Sequence, residues 1–214
     1  MGFDKVLTPL AGEPLIRHTV RAFELCHAVS QIVVVCARER ETEIRASLSE
    51  VGKIAAFVSG GQSRQESVLS GLEALAGATD YVAVHDAARP LVTPALIDCC
   101  FAAAVEHGAS SAAEPVTDTL QKTDDLKCCV EVVDRADLWR MQTPQVFRTD
   151  DLLRAMHAAQ AAGVSVTDET SALRRMGGHV FLVENADWNF KVTYPRDVPV
   201  AEFILQSRAA ASLT

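Results

Sequence analysis

Residues Tyr81 to Pro90 read YVAVHDAARP. Four residues that suit a strand buried in a sheet run straight into His85, Asp86 and Arg89, and a proline ends the stretch. The sequence around this run decides what kind of sheet it is. On its N-terminal side, Pro14 to Leu25 (PLIRHTVRAFEL) spaces its apolar residues as a helix does, and Gln31 to Ala37 (QIVVVCA) follows as a buried strand. Arg38 to Leu48 then reads as a charged helix and Ala55 to Val58 as a short strand. Ser63-Arg64-Gln65-Glu66 is a capping box that opens a helix through Val68, Leu69, Leu72 and Leu75.

On the C-terminal side, Thr93-Pro94 supplies an N-cap and a first-turn proline for a helix that Gly108 ends. This alternation predicts an α/β fold: a doubly wound, mostly parallel sheet with helices on both faces. Such sheets bind ligands beyond the C-terminal ends of their strands, and Asp86 stands at one of those ends. The pattern breaks between Glu114 and Phe147, where PVTDTLQK and CCVEVVDR read as two strands around Thr123-Asp124-Asp125. The reading is a projecting β-hairpin arm over residues 114–136. An isolated hairpin is marginal in water, so the arm is expected to pack on another subunit, or else to lie as a flap on its own domain. Helices resume at Thr149 to Ala162 and Asp168 to Met176, then the strand HVFLVE, the strand-like segment NFKVT and a last helix opened by Pro195.

Composition bounds the function. The 214 residues are 49% hydrophobic, which suits one domain spanning 1–214. With 28 acidic against 20 basic residues the net charge is −8, which argues against nucleic acid or an anionic membrane as a partner through bulk attraction. An anionic substrate must therefore meet a local cluster of positive charge or a metal ion. No apolar run approaches the ~20 residues that span a bilayer, and the first residues lack the apolar core of a signal peptide, so the expected location is cytoplasmic. The six cysteines include no Cys-x-x-Cys, which suggests neither a zinc site nor a disulfide framework. There is no His-Glu-x-x-His and no Gly-x-Ser-x-Gly.

Three stretches carry candidate chemistry. Asp86 and Arg89 fit an N-cap and an ion pair across one turn, but a carboxylate at a strand mouth is also a good ligand for Mg²⁺ or another divalent cation. Gly60-Gly61, between a strand and a helix N-terminus, allows backbone amides to approach a ligand, and equally fits a tight turn. Arg64 is expected to be a solvated helix residue unless a carboxylate or phosphate faces it. Lys191 in NFKVT is functional only if it shares a cleft with Asp86; otherwise it reaches to solvent.

Taken together, SGGQSRQESV, VHDAARP, PVTDT, VDRADLWRMQTPQVF, TDETSAL and NFKVTYPRD resemble, in order and spacing, the 2-C-methyl-D-erythritol 4-phosphate cytidylyltransferases. The resemblance implies a Rossmann-like nucleotidyltransferase fold and transfer of a cytidylyl group from CTP to a sugar-alcohol phosphate, with release of pyrophosphate, in non-mevalonate isoprenoid biosynthesis. It implies a homodimer through the hairpin arm. It also implies that Asp86 binds Mg²⁺ and nucleotide, that Gly60, Gly61 and Ser67 lie by the nucleotide, and that Thr119, Arg135, Thr143 and Thr167 lie near the sugar phosphate. Lys5 and Lys191 match lysines that stabilise the transition state. Two other readings stay open: the same transfer to another polyol phosphate such as ribitol 5-phosphate, and a non-catalytic dimeric homologue.

The resemblance departs at the start. Members of that family open with a strand and a loop of the form A-A-G-x-G-x-R-M-G, and Met1-Gly2 correspond to the tail of that loop. The expectation is a natural protein with a longer N-terminus; the competing one is a truncated chain with weak or no activity. Without the first strand, neighbouring strand edges would stand open.

Overall fold

A computed structural model describes residues 5–75, 77 and 79–211. Met1 and Gly2, compared above with the tail of a phosphate loop, lie outside the described residues. The chain enters at a small hairpin, β1 (Pro9–Leu10) with β2 (Glu13–Pro14), and passes into helix α1 (Leu15–Leu25). Strand β3 (Ile32–Cys36) follows, and the charged helix expected from Arg38 is a 3₁₀ turn over Arg38–Arg40 leading into α2 (Glu41–Ser47). Then come β4 (Ile54–Ser59), α3 (Arg64–Leu75), β5 (Tyr81–Val84) and α4 (Pro94–His107). Thr93 caps α4 by accepting a hydrogen bond from the Leu96 amide, and Gly108 closes it at φ 89°, where a side chain is disfavoured.

Two strands not singled out in the sequence come next and form the middle of the main sheet. They are β6 (Ala109–Pro115) and β9 (Trp139–Arg148), between which the chain leaves to make β7 (Leu120–Thr123) and β8 (Cys129–Val133). The chain ends with α5 (Thr149–Ala161), α6 (Glu169–Arg175), β10 (Phe181–Glu184) and α7 (Asp197–Ala211).

The main sheet has the order β10-β6-β9-β5. Since β9 runs antiparallel to both β5 and β6 while β10 is parallel to β6, three strands point one way and β9 alone is reversed. Strands β3 and β4 form a separate parallel pair. Helices cover both faces, as the alternating order requires. One core joins Phe23 of α1 with Ile97 and Cys100 of α4 and Val146 of β9; another joins Leu69 and Leu72 of α3 with Phe147 of β9 and Leu152 and Met156 of α5.

The arm grows out of the main sheet without a break. The last pairs of β6 and β9 are Glu114 with Arg140 and Pro115 with Trp139, and the Val116 amide donates to the Leu138 carbonyl beyond them. β7 and β8 then pair antiparallel around a turn in which Asp124 Oδ1 accepts from the amides of Leu126 and Cys128. Within the single chain the hairpin is exposed, with Val130 and Val132 on one face of β8 at 61% and 64%. The flap alternative gains no packing from this geometry. NFKVT, expected to be strand-like, joins no ladder among the described residues; its Val192 is fully buried and its amide donates to the Ala88 carbonyl.

Candidate active site

The turn after β5 is built from its own backbone and from β9. Arg89 N donates to the Asp86 carbonyl, which closes the turn, and the Asp86 amide donates to Thr143 Oγ1 at 3.1 Å. Thr143 Oγ1 also lies 3.0 Å from His85 Nδ1, while His85 Nε2 lies 3.3 Å from the Arg89 carbonyl and the ring packs on Phe23. Desolvation of that ring pushes the His85 pKa down to about 4. A neutral His85 and a buried Thr143 thus fix the backbone from which the Asp86 carboxylate projects.

Three cations converge on that carboxylate. Lys191 Nζ lies 3.1 Å from Oδ2, Arg89 Nε 3.5 Å from Oδ2 and Arg64 Nη2 3.7 Å from Oδ1. Burial works against ionising Asp86, but Lys191 first, then Arg64 and Arg89, outweigh it and hold the carboxyl below its ordinary range. The site therefore has the local positive charge that the acidic chain as a whole lacks.

Each cation is carried by a different segment. Lys191 is brought in by its neighbours: Val192 N bonds the Ala88 carbonyl, and buried Asn189 donates through Nδ2 to Gln142 Oε1 and to the Thr143 carbonyl, both at 2.9 Å. Arg89 donates to the Asn189 carbonyl at 2.8 Å, so it ties the Asp86 turn to the segment carrying Lys191. Arg64 starts α3 and places two guanidinium nitrogens on Glu169 at 2.6 and 2.9 Å. Glu169 is the carboxylate partner whose presence takes Arg64 out of the class of solvated helix residues. Glu169 opens α6 behind the N-cap Asp168, which accepts from the amide and hydroxyl of Ser171.

The glycine turn lies beside the same mouth. Gly60 N donates to the Cys36 carbonyl and Gly61 N donates to Ser67 Oγ, whose hydroxyl in turn donates to the Ser63 carbonyl. The capping box forms with a shift of one residue: Ser63 Oγ accepts from Glu66 N, while the Glu66 carboxylate reaches Gln62 N. A methyl group at Gly61 would sit 2.3 Å from Glu66 Cβ and at Gly60 2.9 Å from Ser67 Oγ, so the turn is too close to α3 for side chains. A hollow of ≈ 550 Å³ opens here, lined by Cys36, Arg38, Gly60, Gly61 and Ser67.

The structure thus brings Asp86, Lys191 and Thr143 together and sets Gly60 and Gly61 on the adjoining turn, with Ser67 facing them from the first turns of α3. It also adds Arg64, Glu169 and Asn189, none of which was assigned a site role from sequence. Thr143 is buried against the Asp86 turn, whereas Thr167 is exposed with Oγ1 3.2 Å from Ser171 Oγ. Thr119 and Arg135 are exposed on the arm, where Arg135 Nη1 donates to the Thr117 carbonyl. Lys5 is half-buried and acts on the carboxylate of Asp197 at the start of α7; no contact joins it to Asp86.

Among the described residues no group of three His, Cys, Asp or Glu side chains could hold a metal ion. Asp86 is the carboxylate at the strand mouth on which Lys191, Arg89 and Arg64 converge, while Glu169 is taken up by its two hydrogen bonds from Arg64. That donor set fits Mg²⁺ where phosphate oxygens of a ligand supply most of the coordination.

The family model for 2-C-methyl-D-erythritol 4-phosphate cytidylyltransferase matches residues 1–207. The chain belongs to this family. It is 44% identical over 211 residues to a curated member from Synechococcus sp. (strain CC9902), across 97% of this chain and 93% of that protein. To the member from Pelotomaculum thermopropionicum it is 38% identical over 202 residues, across 93% of this chain and 85% of that protein. The crystal structure of the cytidylyltransferase from Thermus thermophilus superposes with a TM-score of 0.82 at 32% identity, covering 94% of each chain. The expected Rossmann-like nucleotidyltransferase architecture is borne out. No helix among the described residues is long and apolar enough to cross a membrane.

Proposed function

We infer that the protein transfers the cytidylyl group of CTP to 2-C-methyl-D-erythritol 4-phosphate, releasing pyrophosphate. The observation that carries the reading is the convergence of Lys191, Arg64 and Arg89 on Asp86 at the C-terminal mouth of β5, next to the Gly60-Gly61 turn. A phosphate oxygen of the acceptor forms a bond to the α-phosphorus of CTP. The bond from that phosphorus to the oxygen bridging to the β-phosphate breaks, and its electron pair leaves with pyrophosphate. Two anions must meet while charge gathers on the leaving oxygen, so fixed cations and positioning can carry the catalysis without a covalent intermediate.

Lys191, exposed by 42% and tethered through Val192 and Asn189, is placed to meet phosphate oxygens. Arg89 is committed to the turn. Gly60, Gly61 and Ser67 line the hollow offered to the nucleotide base and ribose, and Thr143 holds the backbone of Asp86. Asp86 is the residue that would hold Mg²⁺, which supplies charge neutralisation on the phosphate oxygens when bound. Lys5 is retained as a second candidate for phosphate contact. Thr119, Arg135 and Thr167 are assigned to the acceptor side, the first two from an arm, residues 114–136 of a single 1–214 domain, that pairs with a second copy in a homodimer acting in the cytoplasm.

Pyrophosphate release from CTP and Mg²⁺ with methylerythritol phosphate tests the reading, with ribitol 5-phosphate as the comparison acceptor. Turnover with the first and not the second is expected. Turnover confined to ribitol 5-phosphate would overturn the acceptor assignment.

A further inference from the structure

Strand β9 buries Gln142, Thr143 and Gln145 around Pro144, and each of the three is tied to a different segment of the candidate site. Thr143 holds the Asp86 amide. Gln142 Oε1 accepts from Asn189 Nδ2 at 2.9 Å and from Asn185 Nδ2 at 3.1 Å, so it grips the segment that carries Lys191. Gln145 Nε2 donates to Asp168 Oδ2 and to the Gln142 carbonyl, both at 3.3 Å. Asp168 is the N-cap of α6 and stands between Thr167 and Glu169. The loop leading into α6 is thereby held at three points: Val166 N donates to Gln65 Oε1 at 3.1 Å, Asp168 accepts from Gln145, and Glu169 takes the fork of Arg64. The exposed Thr167 sits between the first two.

We propose that Gln142 and Gln145 are separate positioning residues for the transfer: Gln142 fixes Lys191 against the transferring phosphoryl group, and Gln145 fixes the Thr167 loop on the acceptor side. The roles of Lys191 and Thr167 rest on the transfer reading above; the two grips themselves do not. Neither amide is the last partner of a buried group. Without Gln142 Oε1, Asn189 Nδ2 keeps the Thr143 carbonyl and Asn185 Nδ2 keeps the Asp187 carbonyl. Without Gln145 Nε2, Asp168 keeps the Thr170 hydroxyl and the amide and hydroxyl of Ser171. Gln145 Oε1 is itself buried with no hydrogen-bond partner among the described residues, and a buried polar atom left unpaired works against folding. A methionine of similar length would fill the same space without that oxygen, so the amide gains the fold little and the site a fixed orientation.

The test compares Gln142→Met and Gln145→Met with the parent in initial-rate kinetics with CTP and methylerythritol phosphate, in thermal melting and in amide hydrogen exchange. Gln142→Met is expected to lower kcat about tenfold with both KM values nearly unchanged, because Lys191 acts in the transition state. Gln145→Met is expected to raise the KM for the acceptor about tenfold, with kcat and the KM for CTP nearly unchanged. Exchange should quicken over 189–193 in the first variant and over 166–171 in the second, with thermal midpoints close to the parent's. Exchange does not depend on catalysis, so if the parent fails to turn over the acceptor the transfer reading falls, and the exchange pattern still decides whether the grips are separate. Both variants lowering kcat and raising both KM values alike would overturn the proposal. So would exchange that quickens over both segments in each variant, or over neither.

Discussion

Arg64 and Glu169 form a forked ion pair across 105 residues of sequence, joining the start of α3 to the start of α6. The two partners are unequal: the Glu169 side chain is 1% exposed and that of Arg64 39%. Removing Arg64 leaves a charge buried without a partner, whereas neutralising Glu169 leaves a cation that water can reach. Arg64→Ala is therefore expected to cost about 3 kcal/mol in urea unfolding and Glu169→Gln clearly less, with the double variant milder than Arg64→Ala alone. Equal costs for the two single variants would show that the pair is not what holds α6 to the site.

Lys191 separates stability from turnover. Its ammonium pairs with Asp86 but is 42% exposed, and exposed pairs add little to folding. Lys191→Ala is expected to lower kcat about 100-fold while the thermal midpoint stays near that of the parent, and Lys191→Arg to recover part of the rate. Pyrophosphate release and a melting curve on the same samples check this. Normal turnover in Lys191→Ala would remove Lys191 from the mechanism.

His85 and Asp86 are neighbours whose titrations act in different pH windows. The folded state lowers the His85 pKa from 6.5 to about 4, so protonation favours the unfolded chain. Its contribution is complete above about pH 6.5 and is lost as pH falls to about 4, an effect of roughly 3 kcal/mol. Asp86 is lowered from 3.8, so its contribution is complete above that value and is lost only as pH falls further, through the lowered pKa. Urea midpoints measured across this range should show His85→Asn flattening the upper window and Asp86→Asn the lower one. A single transition affected alike by both variants would refute the separation.

The elements legible in sequence were those whose pattern is local. Apolar spacing gave α1 and α4, Thr93-Pro94 and Gly108 gave the ends of α4, and continuous apolar runs gave β3 and β5. The two central strands were not legible. In β6, Ala109–Pro115 is a run of small residues whose buried Ser110 hydroxyl donates to the Cys100 carbonyl, a bond that apolar spacing does not reveal. β9 buries Gln142, Thr143 and Gln145 and carries Pro144, which reads as an argument against a central strand. The site divided in the same way. Asp86 was marked by its place at a strand end, but Arg64 became part of the site only once folding had set Glu169 and Asp86 around it.

The glycine turn tests whether the hollow lined by Gly60, Gly61 and Ser67 is the nucleotide's. A Cβ at Gly61 would meet Glu66 Cβ at 2.3 Å, an atom fixed close to the helix backbone, while one at Gly60 would meet the Ser67 hydroxyl at 2.9 Å, which can rotate away. Gly61→Ala should therefore displace the turn and cost roughly 1–3 kcal/mol, and Gly60→Ala should cost less. If the turn binds CTP, Gly61→Ala raises the KM for CTP more than that for the acceptor. A rise confined to the acceptor would place the nucleotide elsewhere.

The exposed face of β8 makes the arm's role measurable without reference to catalysis. Val130 and Val132 lie two residues apart on one strand face at 61% and 64% exposure, and Leu126 at the turn is 84% exposed. A hairpin of two short strands is marginal by itself, so this apolar face gains stability when a second copy covers it. Sedimentation equilibrium is expected to give a dimer for the parent chain and a monomer for the Val130→Lys, Val132→Lys double variant. The variant's melting curve should remain cooperative, because neither residue belongs to the buried core. A parent chain that sediments as a monomer at all concentrations, or a double variant that stays dimeric, would remove the arm from the assembly.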